Sequence, residues 1–428
     1  WAVEEHGLLP KTHLGGRKGI SVDHAIQLIL DRVHRAWGTG TGRKVSMLLL
    51  DVAGAYDNVS HERLLYNIKQ LRLGQFTPWI ASFLRNRSTR IKLPGYLSDS
   101  FPTPTGIPQG SPISPILFLL FNAPLITVCG PRTGIAQSVG FGWVDDVAVL
   151  VESESYYNNT ITLEKILNKA NIWATRHAAR FAPDKFELIH FTNPRSNDTQ
   201  NDTQQGNTDI YDFDSAHPQG NDQMPVQYND LTIQPTQSAK YLGVWLDKHL
   251  DFDTHRQKLL AKANGSLEAL RAITGSVWGA SLAAMRKVYQ AVVVPQMLYG
   301  VLAWYCPAAR AMPAGELRYT INEFTKIQRR AAILISGAFK SISAAALNVE
   351  LFITPIHLLI DQIIQETAVR IQTGGAWAQP ECLRRQRAPQ EIRKGGWSPL
   401  EALRWKKDGI LNPRGCVWES RKAFVLAP

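Results

Sequence analysis

The run FGWVDDVAVLV, residues 141–151, plants two adjacent carboxylates, Asp145 and Asp146, in the middle of an apolar stretch. Successive strand residues point to opposite faces. A β-ribbon folded at the Asp-Asp step therefore carries both acids at its tip and leaves Phe141, Trp143, Val147, Val149 and Val151 for packing. Like charges this close repel and titrate as a coupled pair, a cost that a cation between them removes. A bland surface turn is the competing reading, and the rest of the chain decides between the two.

At 428 residues the chain exceeds what one hydrophobic core usually organises, so two or three domains are expected. A net charge of +11 and a pI near 9.5 favour a polyanionic partner, nucleic acid above all. The four cysteines, Cys129, Cys306, Cys382 and Cys416, show neither C-x-x-C pairs nor histidines at ligand spacing, which argues against a disulfide framework and a zinc site. No charge-free apolar stretch reaches membrane-spanning length, and WAVEEHGLLPKTHLGG lacks the form of a signal peptide. An intracellular protein, of nucleus and cytoplasm, is expected. The missing initial methionine points to a fragment.

KVSMLLLDV, 44–52, reads as a buried strand that ends in an acid, and NVSHERLLYNIKQL then takes helical spacing, with Asn58 or Ser60 as cap. Ser111-Pro112 and Ser114-Pro115 each offer a cap followed by proline at the first helical position, ahead of an apolar helix. TLEKILNKANIWATRHA reads as a helix, ELIHF as a strand and AKYLGVWLD, 239–247, as strand again. Residues 194–226, rich in Asn, Asp, Gln and Thr, read as a disordered surface loop. From 251 to 372 the pattern is helical, and a Pro/Gly-broken tail with many Trp and Arg residues follows.

Asp51 ends one buried strand and Asp145 turns a buried hairpin, so antiparallel pairing of these strands brings carboxylates from distant segments to one sheet edge. Two Mg²⁺ ions about 3.5–4 Å apart between such carboxylates can activate a hydroxyl and stabilise a departing pyrophosphate. Oxygen ligands alone suit Mg²⁺ rather than zinc.

DVAGAYD (51–57), GIPQGSPISPILFLLF (106–121), WVDD (143–146), PDKFELIHF (183–191) and YLGVWLD (241–247) resemble, in order and spacing, the palm motifs of reverse transcriptases. With HGLLPKTHLGGRKGISVDHAI (6–26) and the helical stretches after 255, the chain is most similar to LINE-type non-LTR retrotransposons, fungal ones in particular, over about residues 6–345. The resemblance implies an α+β right-hand polymerase: partial fingers over 1–43, palm over 44–250, helical thumb over 251–345, and a connector with a basic Trp-rich tail over 346–428. It implies an RNA-directed DNA polymerase that joins dNTPs to a DNA primer on template RNA with two Mg²⁺ ions, or Mn²⁺ in their place.

Carried over residue by residue, the resemblance makes Asp51 and Asp145 the metal-bridging pair, the Val52 carbonyl a further ligand and Asp146 the less strictly placed second acid. Ala55 and Tyr56 set an aromatic ring under the incoming sugar, as a gate against a ribose 2′-OH. Pro108, Gln109 and Gly110 form the loop that touches the nucleotide, with Gly110 allowing close backbone approach. Lys185 is the lysine that can protonate pyrophosphate, and Tyr241, Leu242 and Gly243 form the hairpin that grips the primer. Trp143 departs from the usual Tyr or Phe, which puts its primer contact in doubt. Arg17 and Lys18 stand as remaining triphosphate-binding basics, and Arg256, Lys258, Lys262, Arg271, Arg286, Lys287, Lys326, Arg329 and Arg330 as thumb cations, part of them phosphate contacts. An RNA-dependent RNA polymerase, with Asp57 bonding a 2′-OH, and a decayed, catalytically silent nucleic-acid-binding remnant are the alternatives. Ala55-Tyr56 and the P-Q-G loop oppose the former.

Overall fold

The computed structural model describes residues 6–17, 19–38, 42–130, 136–194, 222–274, 279–305 and 314–373. Lys18, the segment 195–221, Cys306 and the tail from 374 lie outside them.

Four antiparallel strands form the central sheet in the order β6-β7-β1-β8: β1 (Lys44–Leu50), β6 (Gln137–Trp143), β7 (Asp146–Ser153) and β8 (Glu187–Phe191). Strand alternation sends their side chains into two different cores. Val45, Met47 and Leu49 of β1 join Ala148, Leu150, Ile189 and Phe191 on one face. Leu48 and Leu50 join Val147, Val149, Val151 and Leu188 on the other. Both faces are covered, which is why KVSMLLL reads as a continuous apolar run instead of an alternating one.

The second face is covered by α2 (His61–Gln70), α3 (Thr77–Leu84), α4 (Ser114–Val128) and α5 (Tyr156–His177). Ser60 caps α2, its hydroxyl accepting from the Arg63 amide at 3.3 Å. Ser114 is not a cap: α4 begins at that residue, with Pro115 in its first turn and Ile113 in the cap position. Ser111 is no cap either, because the turn residues Pro112 and Ile113 separate it from the helix. Between α3 and α4 lie four two-residue strands, β2 (Ser88–Thr89), β3 (Lys92–Leu93), β4 (Tyr96–Leu97) and β5 (Phe101–Pro102), paired β2 to β5 and β3 to β4 as an exposed arm.

The first face is covered by α1 (Val22–Gly38), by the hairpin of β11 (Ser238–Tyr241) and β12 (Val244–Asp247), and by the helices that follow. Those are α6 (Asp253–Ala272), α7 (Leu282–Val288), α8 (Val294–Met297), α9 (Val301–Trp304), α10 (Ala314–Ser336), α11 (Ala344–Glu350) and α12 (Ile356–Thr373). A π-helical turn at Tyr289–Val293 joins α7 to α8. One apolar cluster runs from Ile29 through Met47 and Tyr241 to Trp304 and Phe324, so sheet and C-terminal helices share a core.

AKYLGVWLD is two strands folded at Leu242-Gly243. One reading of the sequence changes. The polar segment ends earlier than 226, because Val226–Tyr228 is β9, paired with β10 (Leu231–Ile233).

Candidate active site

The last pair in the β1–β7 ladder is Leu50 with Val147, so Asp51 and Asp146 fall on the next rung, at one end of the sheet. Trp143 pairs with Asp146 across the β6–β7 hairpin, which makes Val144-Asp145 the two-residue turn. The acids therefore do not share the tip: Asp145 lies in the turn and Asp146 starts the strand. Asp146 meets solvent on one side and is crowded by protein on the other. That crowding, then the charge of Asp145, then that of Asp51, push its pKa up to about 6.

The turn is built against resistance. Val144 sits at φ 57, a conformation that costs a β-branched residue of the order of 1–3 kcal/mol. Three contacts hold it there or beside it. Asn122 Nδ2, from α4, donates to the Val144 carbonyl at 3.0 Å. The N-terminal segment pairs with the β6 edge, the Leu14 amide donating to the Gly142 carbonyl at 2.7 Å and the Gly142 amide to Thr12 at 3.0 Å. Gly15 lies so close that a Cβ there would stand 2.6 Å from the Val144 nitrogen. Just behind, His13 is fully buried with both ring nitrogens unpartnered among the described residues, and burial followed by the charge of Arg17 lowers its pKa to about 4.

Asp51 is fixed from the other side. Its carbonyl accepts from the Ala182 amide at 3.0 Å, and Val52 bridges to Phe181. The short helical turn Pro183–Lys185 then brings Lys185 Nζ to 3.2 Å from Asp51 Oδ2. Val52 is buried directly beyond Asp51. Tyr56 stacks on Phe118 at 5.2 Å between centroids, with the pKa of its hydroxyl raised by burial and then by the charge of Asp145. Ala55, half-buried, packs in the same cluster.

The P-Q-G loop is tied to this segment. The Ile107 amide donates to Tyr56 O at 2.8 Å, and the Gly106 amide to Val59 O at 2.9 Å. A Cβ on Gly106 would strike the Asp57 backbone at 2.5 Å. Pro108 is half-buried; Gln109 and Gly110 are exposed, with Gly110 at φ 88 and Gln109 Nε2 donating to Asp57 Oδ1 at 3.4 Å.

Tyr241 ends β11 fully buried, its hydroxyl without a hydrogen bond among the described residues and its pKa raised by burial and then by Asp146. Tyr241 packs in the same apolar cluster as Phe141 and Ala148 of the acid-bearing hairpin. Leu242 and Gly243 take φ 47 and 83.

Some expected cations are otherwise engaged. Arg17 is buried, donating to the carbonyls of Pro10 at 3.2 Å and His13 at 3.3 Å, and so does not present itself to a triphosphate. Arg256 is buried against Asp253 and the Asp251 carbonyl. Arg330 binds Glu268 at 2.7 Å, and Arg329 the Lys340 carbonyl at 2.7 Å. Sequence reasoning missed Asn122 and Tyr299, whose contacts hold the two turns. Asn122 could have been found as the one amide in the apolar run LFLLFNAPLI.

All candidate metal donors are oxygens, which suits Mg²⁺. Among the described residues no group of three or more His, Cys, Asp or Glu side chains is arranged to hold a metal ion by itself. An ion held by one or two carboxylates needs none, since Mg²⁺ completes its shell from water and substrate phosphates.

Paired carboxylates on a β-hairpin beside a buried strand's terminal acid define a polymerase-type palm. Residues 18–246 match the family model of the reverse transcriptase (RNA-dependent DNA polymerase), and the chain belongs to that family. It is 22% identical over 371 residues to the probable RNA-directed DNA polymerase from transposon BS of Drosophila melanogaster, covering 86% of this chain and 36% of that protein. It is 26% identical over 291 residues to the RNA-directed DNA polymerase from mobile element jockey of the same species, covering 68% and 28%. The X-element polymerase of that species matches at 22% over 305 residues, 71% and 30%. The chain thus spans about a third of the length of these relatives. Among solved structures, telomerase from Candida albicans in complex with the TWJ fragment of telomeric RNA aligns with a TM-score of 0.35 at 11% identity, over 87% of this chain and 53% of that one.

Proposed function

We propose that the chain is the polymerase core of a non-LTR retrotransposon reverse transcriptase, transferring deoxynucleotides to a DNA primer 3′-OH on template RNA. The observation that carries this is the convergence of Asp51, Asp145 and Asp146 at one sheet end. Asp51 and Asp145, with the Val52 carbonyl and Asp146, would hold the metal. Mg²⁺, or Mn²⁺ in its place, would lower the pKa of the attacking hydroxyl and neutralise the leaving pyrophosphate. Tyr56, supported by Phe118, is the wall against which a ribose 2′-OH collides. Asp57 is engaged by Gln109, which favours deoxynucleotides over the ribonucleotide reading. Lys185, beside Asp51, is placed to give a proton to the departing pyrophosphate. The β11–β12 turn holds the primer end.

The kinship to fungal elements and a place of action in nucleus and cytoplasm are part of the proposal. The relatives named above come from an insect. Primer extension on poly(rA)/oligo(dT) with Mg²⁺ tests it. Extension by this chain that disappears in Asp51→Ala, with template-primer affinity unchanged, supports the assignment; equal extension by both proteins refutes it.

A further inference from the structure

The β11–β12 turn is not held by its own strands alone. Tyr299, between α8 and α9, donates its hydroxyl to the Leu242 carbonyl at 2.7 Å. Its ring lies against the turn so closely that a Cβ on Gly243 would stand 2.9 Å from Tyr299 Cε1. Tyr299 is itself anchored through its backbone, whose carbonyl receives Trp304 Nε1 at 3.2 Å and is hydrogen-bonded to His255 Nε2 at 3.1 Å. The next residue, Gly300, at φ 63, leaves room for Val244 of β12, because a Cβ would meet Val244 Cγ2 at 2.7 Å. The tyrosine is thus a stiff strut: backbone pinned by α6 and α9, ring under the turn, hydroxyl on the turn carbonyl. One residue before that carbonyl stands Tyr241, which packs with Phe141 and Ala148 of the acid-bearing hairpin.

We infer that Tyr299 is a positioning residue that fixes the Leu242-Gly243 turn, and through it the primer 3′ end, relative to the three carboxylates. This rests on the reading of that hairpin as the primer holder. The strut belongs to the C-terminal helices and its target to the site, so one hydrogen bond and one ring contact carry the placement of those helices to the turn itself, beside the contacts of Val244 with Gly300 and of the Trp245 amide with His255 further along β12. Tyr299 touches no reacting atom. Its loss therefore misplaces a bound primer without releasing it.

The test uses the full chain and a DNA primer on RNA template with 2-aminopurine at the primer 3′ end, together with hydrogen exchange of the peptide spanning 241–245. Tyr299→Phe keeps the ring and removes the hydroxyl. Exchange in that peptide should quicken about three- to tenfold, the scale of one partly exposed hydrogen bond. The terminal 2-aminopurine signal of the bound duplex should move toward that of free duplex, while duplex Kd stays within twofold and Tm is unchanged. Tyr299→Leu should do the same more strongly, and combined with Gly243→Ala should show a non-additive effect, since both act on one contact.

Unchanged exchange in Tyr299→Phe overturns the strut. Faster exchange with an unchanged 2-aminopurine signal overturns the link from strut to primer. If the wild-type complex itself leaves the terminal 2-aminopurine as in free duplex, the hairpin is no primer holder and the underlying reading fails, whatever the exchange shows.

Discussion

Two hairpin turns meet at the candidate site, and they are built on one plan from different residues. In β6–β7 the first turn residue is Val144 at φ 57, and in β11–β12 it is Leu242 at φ 47. Each offers its carbonyl to a side chain from a distant helix region, Val144 to Asn122 at 3.0 Å and Leu242 to Tyr299 at 2.7 Å. Each is backed by a buried histidine whose pKa is lowered, His13 behind the first and His255 behind the second. The second residue differs. It is Asp145 in one turn and Gly243, which accepts φ 83 without strain, in the other. Both turns thus hold a branched side chain in the left-handed region at their first residue, and only the first turn goes on to carry a charged group. In the first turn the strained residue directly precedes the acid to be aimed.

Removing the charge should separate the turns most sharply. Asp145→Asn is expected to lower primer extension by about a thousandfold or more, the scale for a lost ligand of a two-metal clamp, with duplex affinity within twofold because binding rests on many phosphate contacts. No substitution at Leu242 should approach that loss while affinity holds. Residual extension above about a tenth of wild type would remove Asp145 from the chemistry.

The histidines predict a pH response next in size. Below about pH 6.5 the unfolded chain takes up a proton that His13 refuses until about pH 4. Stability that is complete above pH 6.5 is therefore lost progressively as pH falls toward 4, by roughly 2 kcal/mol between pH 7 and 5 from this one group. Urea midpoints at the two pH values, in wild type and His13→Gln, measure it. The same slope in both proteins would show that His13 is not the group. His255, lowered chiefly by burial, is stabilised by two hydrogen bonds, from the Trp245 amide and with the Tyr299 carbonyl, so His255→Gln should cost more at neutral pH than it saves in slope.

The β6–β7 turn was legible in the sequence because an acid pair inside FGWVDDVAVLV has few physical uses, and Asp51 at the end of KVSMLLL completes the pattern. Its exact form was not. Val144 in the left-handed region is a choice no propensity favours, made by tertiary contacts with Asn122 and Gly15 that are 22 residues and more away in sequence. The β11–β12 turn was legible as Leu-Gly only through resemblance, and its strut, Tyr299, lies 57 residues downstream in a helical stretch that gives no sign of it. Arg17 and Arg256 went the other way: cations in a basic chain read as phosphate contacts, and the fold buries both on carbonyls and a carboxylate. Charge is visible in sequence, but the partner that consumes it is not.

Gly243→Ala tests the second turn. The new methyl must sit at φ 83 and 2.9 Å from the Tyr299 ring, so a stability loss of about 1–3 kcal/mol is expected from strain and contact together. Denaturant unfolding reads it. A loss under about 0.5 kcal/mol would mean that the turn is looser than its two contacts require.

Val144→Gly is the mirror experiment, and its expected effect on stability is the smallest. Glycine removes the penalty of φ 57 but adds unfolded-state freedom worth about 0.5–1 kcal/mol and gives up the side chain that packs against Gly15. These terms oppose, so stability should stay within about 1 kcal/mol of wild type, unlike Gly243→Ala. Extension should nonetheless fall, by about tenfold, because Asp145 is then attached to a turn that can leave its strained geometry, and misplacement of a reacting group costs rate far more than it costs folding. The two readouts must be taken on the same preparation. If Val144→Gly lost stability and extension in proportion, the strain at Val144 would be an incidental cost of the hairpin and not the means by which the acid is aimed.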